Sequence, residues 1–94
     1  MDRASEQFWK LFAALPGHIQ EIARKQFHLY QSNPDHPSVN FKPLRHTKRP
    51  VWSARINDNY RALAVRAMDE QGRPIMLWFW IGTHAEYDSI NTRL

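Results

Sequence analysis

Apolar residues recur along this chain at two different periods. Phe8, Leu11, Phe12 and Leu15 fall at i, i+3, i+4 and i+7, the spacing that lines one face of a helix. It predicts an amphipathic helix over residues 4–15, ended by Pro16-Gly17. Ile19, Ile22, Ala23, Phe27 and Tyr30 repeat the pattern and predict a second helix, stopping near Ser32-Asn33-Pro34. So short a link predicts an antiparallel helical hairpin. Most of these apolar side chains are expected in the core.

After Asn33 the period becomes two. The segment 33–38 holds two prolines that deny helix and reads as a loop. Val39 and Phe41 alternate with polar neighbours into a first strand, interrupted by Pro43, which suits a sheet edge. Val51 to Ile56 predicts a second strand and Tyr60 to Ala67 a third. Residues 69–73 turn the chain into a fourth, Ile75 to Ile81. It is apolar on both faces, so a central, doubly covered position is expected. Thr83-His84-Ala85-Glu86 is a T-x-x-E capping box. It opens a short C-terminal helix with Tyr87, Ile90 and Leu94 on one face. Together these elements predict one α+β domain over residues 1–94. Its N-terminal helical hairpin packs on a three- to four-stranded antiparallel sheet, closed by the short C-terminal helix.

The loop Asn57-Asp58-Asn59 decides what the sheet displays. A three-residue turn, with Asn59 in the left-handed conformation that asparagine tolerates, would pair Arg55 with Arg61 on one face. Ser53, Leu63 and Val65 share that face. Trp52, Ala54, Ile56, Ala62 and Ala64 form the other, whose alanines let helices approach closely. The arginine face is expected to be open, near the strand end that delivers His84.

Length and composition narrow the setting. At 94 residues the chain makes one domain. Having no cysteine, it excludes disulfides, thiolate metal sites and thiol nucleophiles, which suits a reducing compartment. The run Ile75–Ile81 is too short for a bilayer and the first residues carry no signal core. A soluble cytoplasmic protein is expected. His18, His28 and His36 are expected at the surface, no histidine spacing suggests a zinc site, and no cofactor is implied.

The net charge of +4 hides an uneven distribution. Between Asn40 and Arg66 lie Lys42, Arg45, Lys48, Arg49, Arg55, Arg61 and Arg66, against Asp58 alone. A basic middle on a near-neutral frame suggests a polyanion surface, and guanidinium forks match phosphate geometry.

With these pieces in order, the chain resembles the RelE/ParE superfamily of bacterial toxins from toxin–antitoxin pairs. The resemblance rests on "LPGHIQEIARKQF", "NPDHPSVNFKPL", "VWSARINDNYRAL" and "WFWIGTHAEYD" and spans nearly the whole chain. Most members begin with a β-strand. Here Met1 to Arg3 is short, and that strand is expected to be absent or vestigial. The resemblance implies one of two activities: metal-free, ribosome-dependent cleavage of mRNA, as in the RelE branch, or poisoning of DNA gyrase, as in the ParE branch. A degenerate toxin that only binds its antitoxin is a third alternative. It also implies a cognate antitoxin, expected to cover the basic face, in a complex that binds operator DNA.

Metal-free RNA cleavage needs a proton carrier for the attacking 2′-hydroxyl or the leaving oxygen, and cations for the developing charge. Histidine suits the first role at neutral pH and arginine the second. By the resemblance, His84 in "GTHAEY" is the acid or base, Arg61 in "YRAL" binds phosphate, and Arg55 is the basic residue of the preceding strand. Tyr87 would stack on a base or orient the substrate. Several members have lysines on this strand where Ser53 and Arg55 stand here, which does not fit a lysine-dependent mechanism. Lys42, Arg45, His46, Lys48 and Arg49 are the expected RNA-binding residues, with His46 a candidate second proton carrier.

Overall fold

The computed structural model describes residues 2–45 and 47–91, so the roles expected of His46 and Leu94 lie outside the described residues. Along the chain run β1 (Asp2–Ala4), α1 (Glu6–Ala13), α2 (Gly17–Ser32), β2 (Lys42–Pro43), β3 (Val51–Asn57), β4 (Tyr60–Met68), β5 (Pro74–Thr83) and α3 (His84–Asn91). The strands form one five-stranded sheet in the order β1-β5-β4-β3-β2. The α+β architecture is the one expected, with a strand more than the apolar pattern gave. No helix among the described residues is long and apolar enough to cross a membrane.

That additional strand is β1, which pairs with β5 in parallel, Asp2 opposite Met76 and Ala4 opposite Trp78. The sheet is therefore mixed, not purely antiparallel. Three residues of low strand propensity hold this place through their side chains. Asp2 Oδ1 accepts from the Tyr30 hydroxyl and from Trp78 Nε1, both at 3.1 Å. Arg3 grips Glu70 with two bonds of 2.7 and 3.0 Å. Burial, with the Asp2 carboxylate alongside, pushes the Tyr30 phenol well above its ordinary pKa.

The helices cover the face expected. Ala54, Ile56, Ala62 and Ala64 are buried beneath Phe12, Ala23 and Tyr30, with Trp78 and Ile81 completing the cluster. Ser5 caps α1 by accepting from the Phe8 amide at 3.1 Å, and Gln20 donates to the carbonyls of Phe12, Ala13 and Leu15 at its far end. These satisfy backbone groups that a helix leaves open. The hairpin is spread: α1 rests mainly on β5 and α2 on β3. A cavity of about 260 Å³ opens between the helices and the sheet, walled by Phe8, Phe12, Phe27, Trp78 and Ile81.

The first predicted strand shrinks to the edge pair Lys42–Pro43. Val39 lies outside it yet is 1% exposed, and its carbonyl accepts from the Arg55 amide at 2.7 Å. Two bulges set which way the later side chains face. The β3–β4 register passes from Arg55↔Arg61 to Asn57↔Tyr60, leaving Ile56 as the extra residue. The β4–β5 register passes from Leu63↔Trp80 to Ala64↔Trp78, leaving Phe79 as the extra one. Without the second bulge, Trp78 and Trp80 would share a face, because side chains alternate along a strand. With it, Trp78 joins the helix-covered core while Trp80 joins Val51 and Leu63 on the opposite side.

That opposite side is not open. Tyr87 and Ile90 of α3 pack over Leu63, Trp80 and Val65. The arginine face was expected to be bare, but Leu63 is fully buried there, and apolar area of this size needs cover. The helix that the capping box opens supplies it.

Candidate active site

The pairing of Arg55 with Arg61 holds, for a different reason than the one expected. Asp58 and Asn59 alone make the turn, and the Ile56 bulge, not a left-handed Asn59, brings the arginines into register. Among the described residues Asn40 is the one non-glycine with positive φ. The result is two cations facing each other directly across β3 and β4.

The turn after Arg55 gathers the surrounding groups. Arg55 Nη2 is paired with Asp58 Oδ1. Arg61 Nη1 donates to the carbonyls of Asn57 at 2.6 Å and Tyr60 at 2.9 Å. The His84 amide donates to the Asn59 carbonyl at 2.7 Å. One turn thus holds both guanidinium groups and fixes the first residue of α3. Tyr60 stands opposite Thr83 and Arg61 opposite Gly82, so the arginine strand and the histidine strand end together.

His84 takes the rim position that the capping box implies. Its side chain is 44% exposed. Thr83 and Glu86 cap one another: the Glu86 amide donates to Thr83 Oγ1 at 3.2 Å, and Glu86 Oε1 accepts from the Thr83 amide and hydroxyl at 3.1 and 2.8 Å. These bonds, the backbone one first, hold the Glu86 carboxyl below its usual pKa. Beyond the cap, His84 Nδ1 lies 3.1 Å from Asp88 Oδ2, and the Tyr87 ring meets the imidazole edge-on with centroids 5.5 Å apart. Tyr87 is half-buried against the α3-side core, so it supports the histidine more than it extends toward solvent.

Gly82 permits this arrangement. A Cβ there would stand 2.7 Å from the Trp80 ring and 3.2 Å from Glu86 Oε1. The missing side chain lets the indole fold over the strand opposite Arg61, under the cap.

The other expected residues lie elsewhere. Lys42 lies on β2 opposite Ser53, midway along β3; Arg45, Lys48 and Arg49 sit in the loop before β3, and the turn lies beyond the far end of that strand. Six residue steps separate Val51 from Asn57, about 20 Å at roughly 3.3 Å per residue. The basic run is therefore two patches, with Lys42 between them. All four of these residues are exposed, and none pairs with a described carboxylate. At their end Arg66 lies over the Trp52 ring, 4.7 Å from its centroid. Asp88 was not anticipated at all, although its i+4 spacing from His84 is a signal the sequence carries. Of the other histidines, His18 and His28 are exposed and His36 is half-buried, its Nδ1 3.0 Å from the Ser38 hydroxyl.

Residues 17–89 match the family described as the ParE-like toxin domain. No curated protein sequence matches the chain. Several solved structures share its fold. The YoeB/ParE toxin from Agrobacterium tumefaciens superposes with a TM-score of 0.65 at 14% identity, covering 89% of this chain and 99% of that one. The RelB–RelE antitoxin–toxin complex from Methanococcus jannaschii gives 0.63 at 16%, covering 92% and 95%. YafQ from E. coli gives 0.63 at 15%, covering 93% and 96%.

Proposed function

Because the chain belongs to the ParE-like toxin domain family, we propose that it is the toxin of a toxin–antitoxin pair, acting as a metal-independent endoribonuclease on mRNA at the ribosome. The observation that carries this is the β3–β4 turn, which gathers Arg55, Arg61 and the backbone of His84. Cleavage by a neighbouring 2′-hydroxyl requires a titratable group beside fixed cations. His84 is that group, exposed and rigidly seated at a helix start. Arg61 supplies charge to the phosphate as it becomes pentacoordinate. Arg55 joins it once the phosphate competes with Asp58. The patch at Arg45, Lys48 and Arg49 holds RNA backbone away from the cleaved bond, where contacts position the strand without specifying bases.

A second reading, a gyrase inhibitor without chemistry of its own, is favoured by the Arg55–Asp58 pair, which leaves one of the two cations already neutralised. A purified translation system with primer extension on the mRNA, run beside a gyrase supercoiling assay, separates the two. Replacing His84 by Ala is expected to lower cleavage roughly 10²–10⁴-fold, with folding intact because the side chain is on the rim. Full cleavage by the folded variant would remove His84 from the chemistry, and loss of supercoiling without cleavage would move the gyrase reading ahead.

The partner is a cognate antitoxin, as RelB is for RelE in the Methanococcus jannaschii complex. Its seat is the cavity between α1, α2 and the sheet. There Trp9 and Phe27 stay exposed at the edge, and Arg24, stacked on Phe12, has no described carboxylate partner. An apolar segment with an acidic flank fits that surface. Co-expression with the neighbouring reading frame, then pull-down of wild type and Phe27→Asp, tests it. Binding unaffected by the aspartate would place the partner elsewhere.

A further inference from the structure

The contact between His84 and Asp88 is more specific than an ordinary exposed ion pair, because the histidine cannot turn freely. Its amide is tied to the Asn59 carbonyl, it opens α3 directly after β5, and the Tyr87 ring stands against its edge. Residues four apart share a helix face, and Asp88 Oδ2 lies 3.1 Å from Nδ1. An ionised carboxylate only accepts hydrogen bonds. The contact is therefore a hydrogen bond when Nδ1 carries the hydrogen, which leaves Nε2 of the neutral ring as the unprotonated nitrogen.

We propose that Asp88 is a positioning residue for the nuclease reaction: it fixes the tautomer and orientation of His84 so that Nε2 serves as the base. This rests on the nuclease activity proposed above and assigns the direction of proton transfer within it. In the step, Nε2 takes the proton of the substrate 2′-hydroxyl as the O2′–P bond forms and the P–O5′ bond breaks. The departing O5′ takes a proton from water, and the imidazolium returns its own to solvent. Asp88 stays ionised and stabilises the imidazolium, as the carboxylate of a hydrolase triad does. The titratable and charged groups of the surrounding elements are Asp58, Arg55 and Arg61 at the turn, Tyr60 on β4, and Glu86 and Tyr87 on α3. Glu86 is engaged by Thr83 and Arg55 by Asp58, so Asp88 is the carboxylate in contact with the ring.

The test has two arms. In ¹⁵N-labelled protein, imidazole nitrogen shifts report the tautomer of His84 directly. Wild type is expected to show Nδ1–H with Nε2 unprotonated in the neutral ring, and Asp88→Asn to show a mixed population. In the cleavage assay, Asp88→Asn is expected to lower kcat at least about tenfold with KM little changed, the mark of an interaction made in the transition state. Asp88→Glu should recover part of the rate. Equal tautomers in wild type, or a tautomer population unmoved in Asp88→Asn, would overturn the proposal. So would an unchanged kcat in folded Asp88→Asn. If wild type cleaves no RNA, the nuclease reading fails and the base role with it, and the nitrogen shifts then judge the Asp88 contact separately.

Discussion

Arg55 and Arg61 stand directly opposite each other on adjacent antiparallel strands, two positive side chains at a position where like charges repel. The fold relieves this by giving each a different acceptor: Asp58 for Arg55, and the turn carbonyls of Asn57 and Tyr60 for Arg61. These acceptors lie in the turn or at the strand ends beside it, so the hairpin that creates the repulsion also offsets it.

The carboxylate of Asp58 competes with any phosphate for Arg55. Asp58→Asn is expected to raise affinity for single-stranded RNA and to steepen its salt dependence by about one phosphate contact. Stability should change little, because an exposed pair contributes at most about 1 kcal/mol. Fluorescence anisotropy across a salt series measures the first effect and urea unfolding the second. Unchanged affinity would mean that phosphate does not reach Arg55.

Gly82 is the position where one carbon should matter. Gly82→Ala places a methyl within the contact distance of the Trp80 ring, and the ring is itself buried between Leu63 and α3. The expected loss is about 1–3 kcal/mol, the range for overpacking a core, read by urea unfolding monitored through tryptophan fluorescence. Because Gly82 faces Arg61, activity should fall as well. A variant as stable as wild type would show that the indole has room to move.

Loss of the cap should loosen the histidine's seat without touching its chemistry. Thr83→Ala is expected to cost about 1 kcal/mol and to reduce activity less than His84→Ala does. Thr83→Ser should restore most of both. Circular dichroism melts with cleavage rates on the three variants decide this. An alanine variant with unchanged stability would show that the covering of Leu63, not the cap, holds α3 in place.

Acid should weaken the fold through two glutamates. The bond from Arg3 holds the Glu70 carboxyl down to about 2, and Glu86 is lowered by its bonds from Thr83. A carboxyl depressed in the folded state contributes stability above its unfolded pKa, about 4.3 for glutamate, and loses it as pH falls through the folded value. Stability is therefore expected to decline from about pH 5 toward pH 2, with a shallower decline in Glu70→Gln. Urea midpoints measured across that range provide the check. Identical pH dependence in wild type and Glu70→Gln would show that the Arg3 bond does not persist in solution.

Much of this fold could be read along the chain because the signals were local. The 3.6-residue spacing of Phe8, Leu11, Phe12 and Leu15 needs only its own helix, and the Thr83–Glu86 cap needs only four residues. The features that escaped depend on distant partners. No property of Asp2-Arg3-Ala4 announces a strand, since its place depends on Tyr30, Glu70 and Trp78. A bulge at Ile56 or Phe79 leaves no compositional mark, yet Phe79 decides the opposite facing of Trp78 and Trp80. The charge run from Arg45 to Arg61 looked like one surface because sequence distance says nothing about strand direction, and β3 carries its two halves to opposite ends. The same blindness hid α3 over the arginine face, although Leu63 and Val65 beside the arginines already required a cover.

The pairing of Asp2 with Met76 has a consequence in time. A growing chain presents its first residues long before its last, and domains assemble as their parts emerge. Here β1 has nothing to pair with until residues 76–78 have left the ribosome, and Asp2 cannot meet the Trp78 indole before then. The strands bearing Arg55 and Arg61 can meet earlier, but His84 emerges only after β5. The two ends of the sheet and the candidate site are thus completed by the same late segment. A nascent chain stalled before residue 76 would carry the cations without the histidine, and under the proposed nuclease reading it would hold an RNA strand and be unable to cut it.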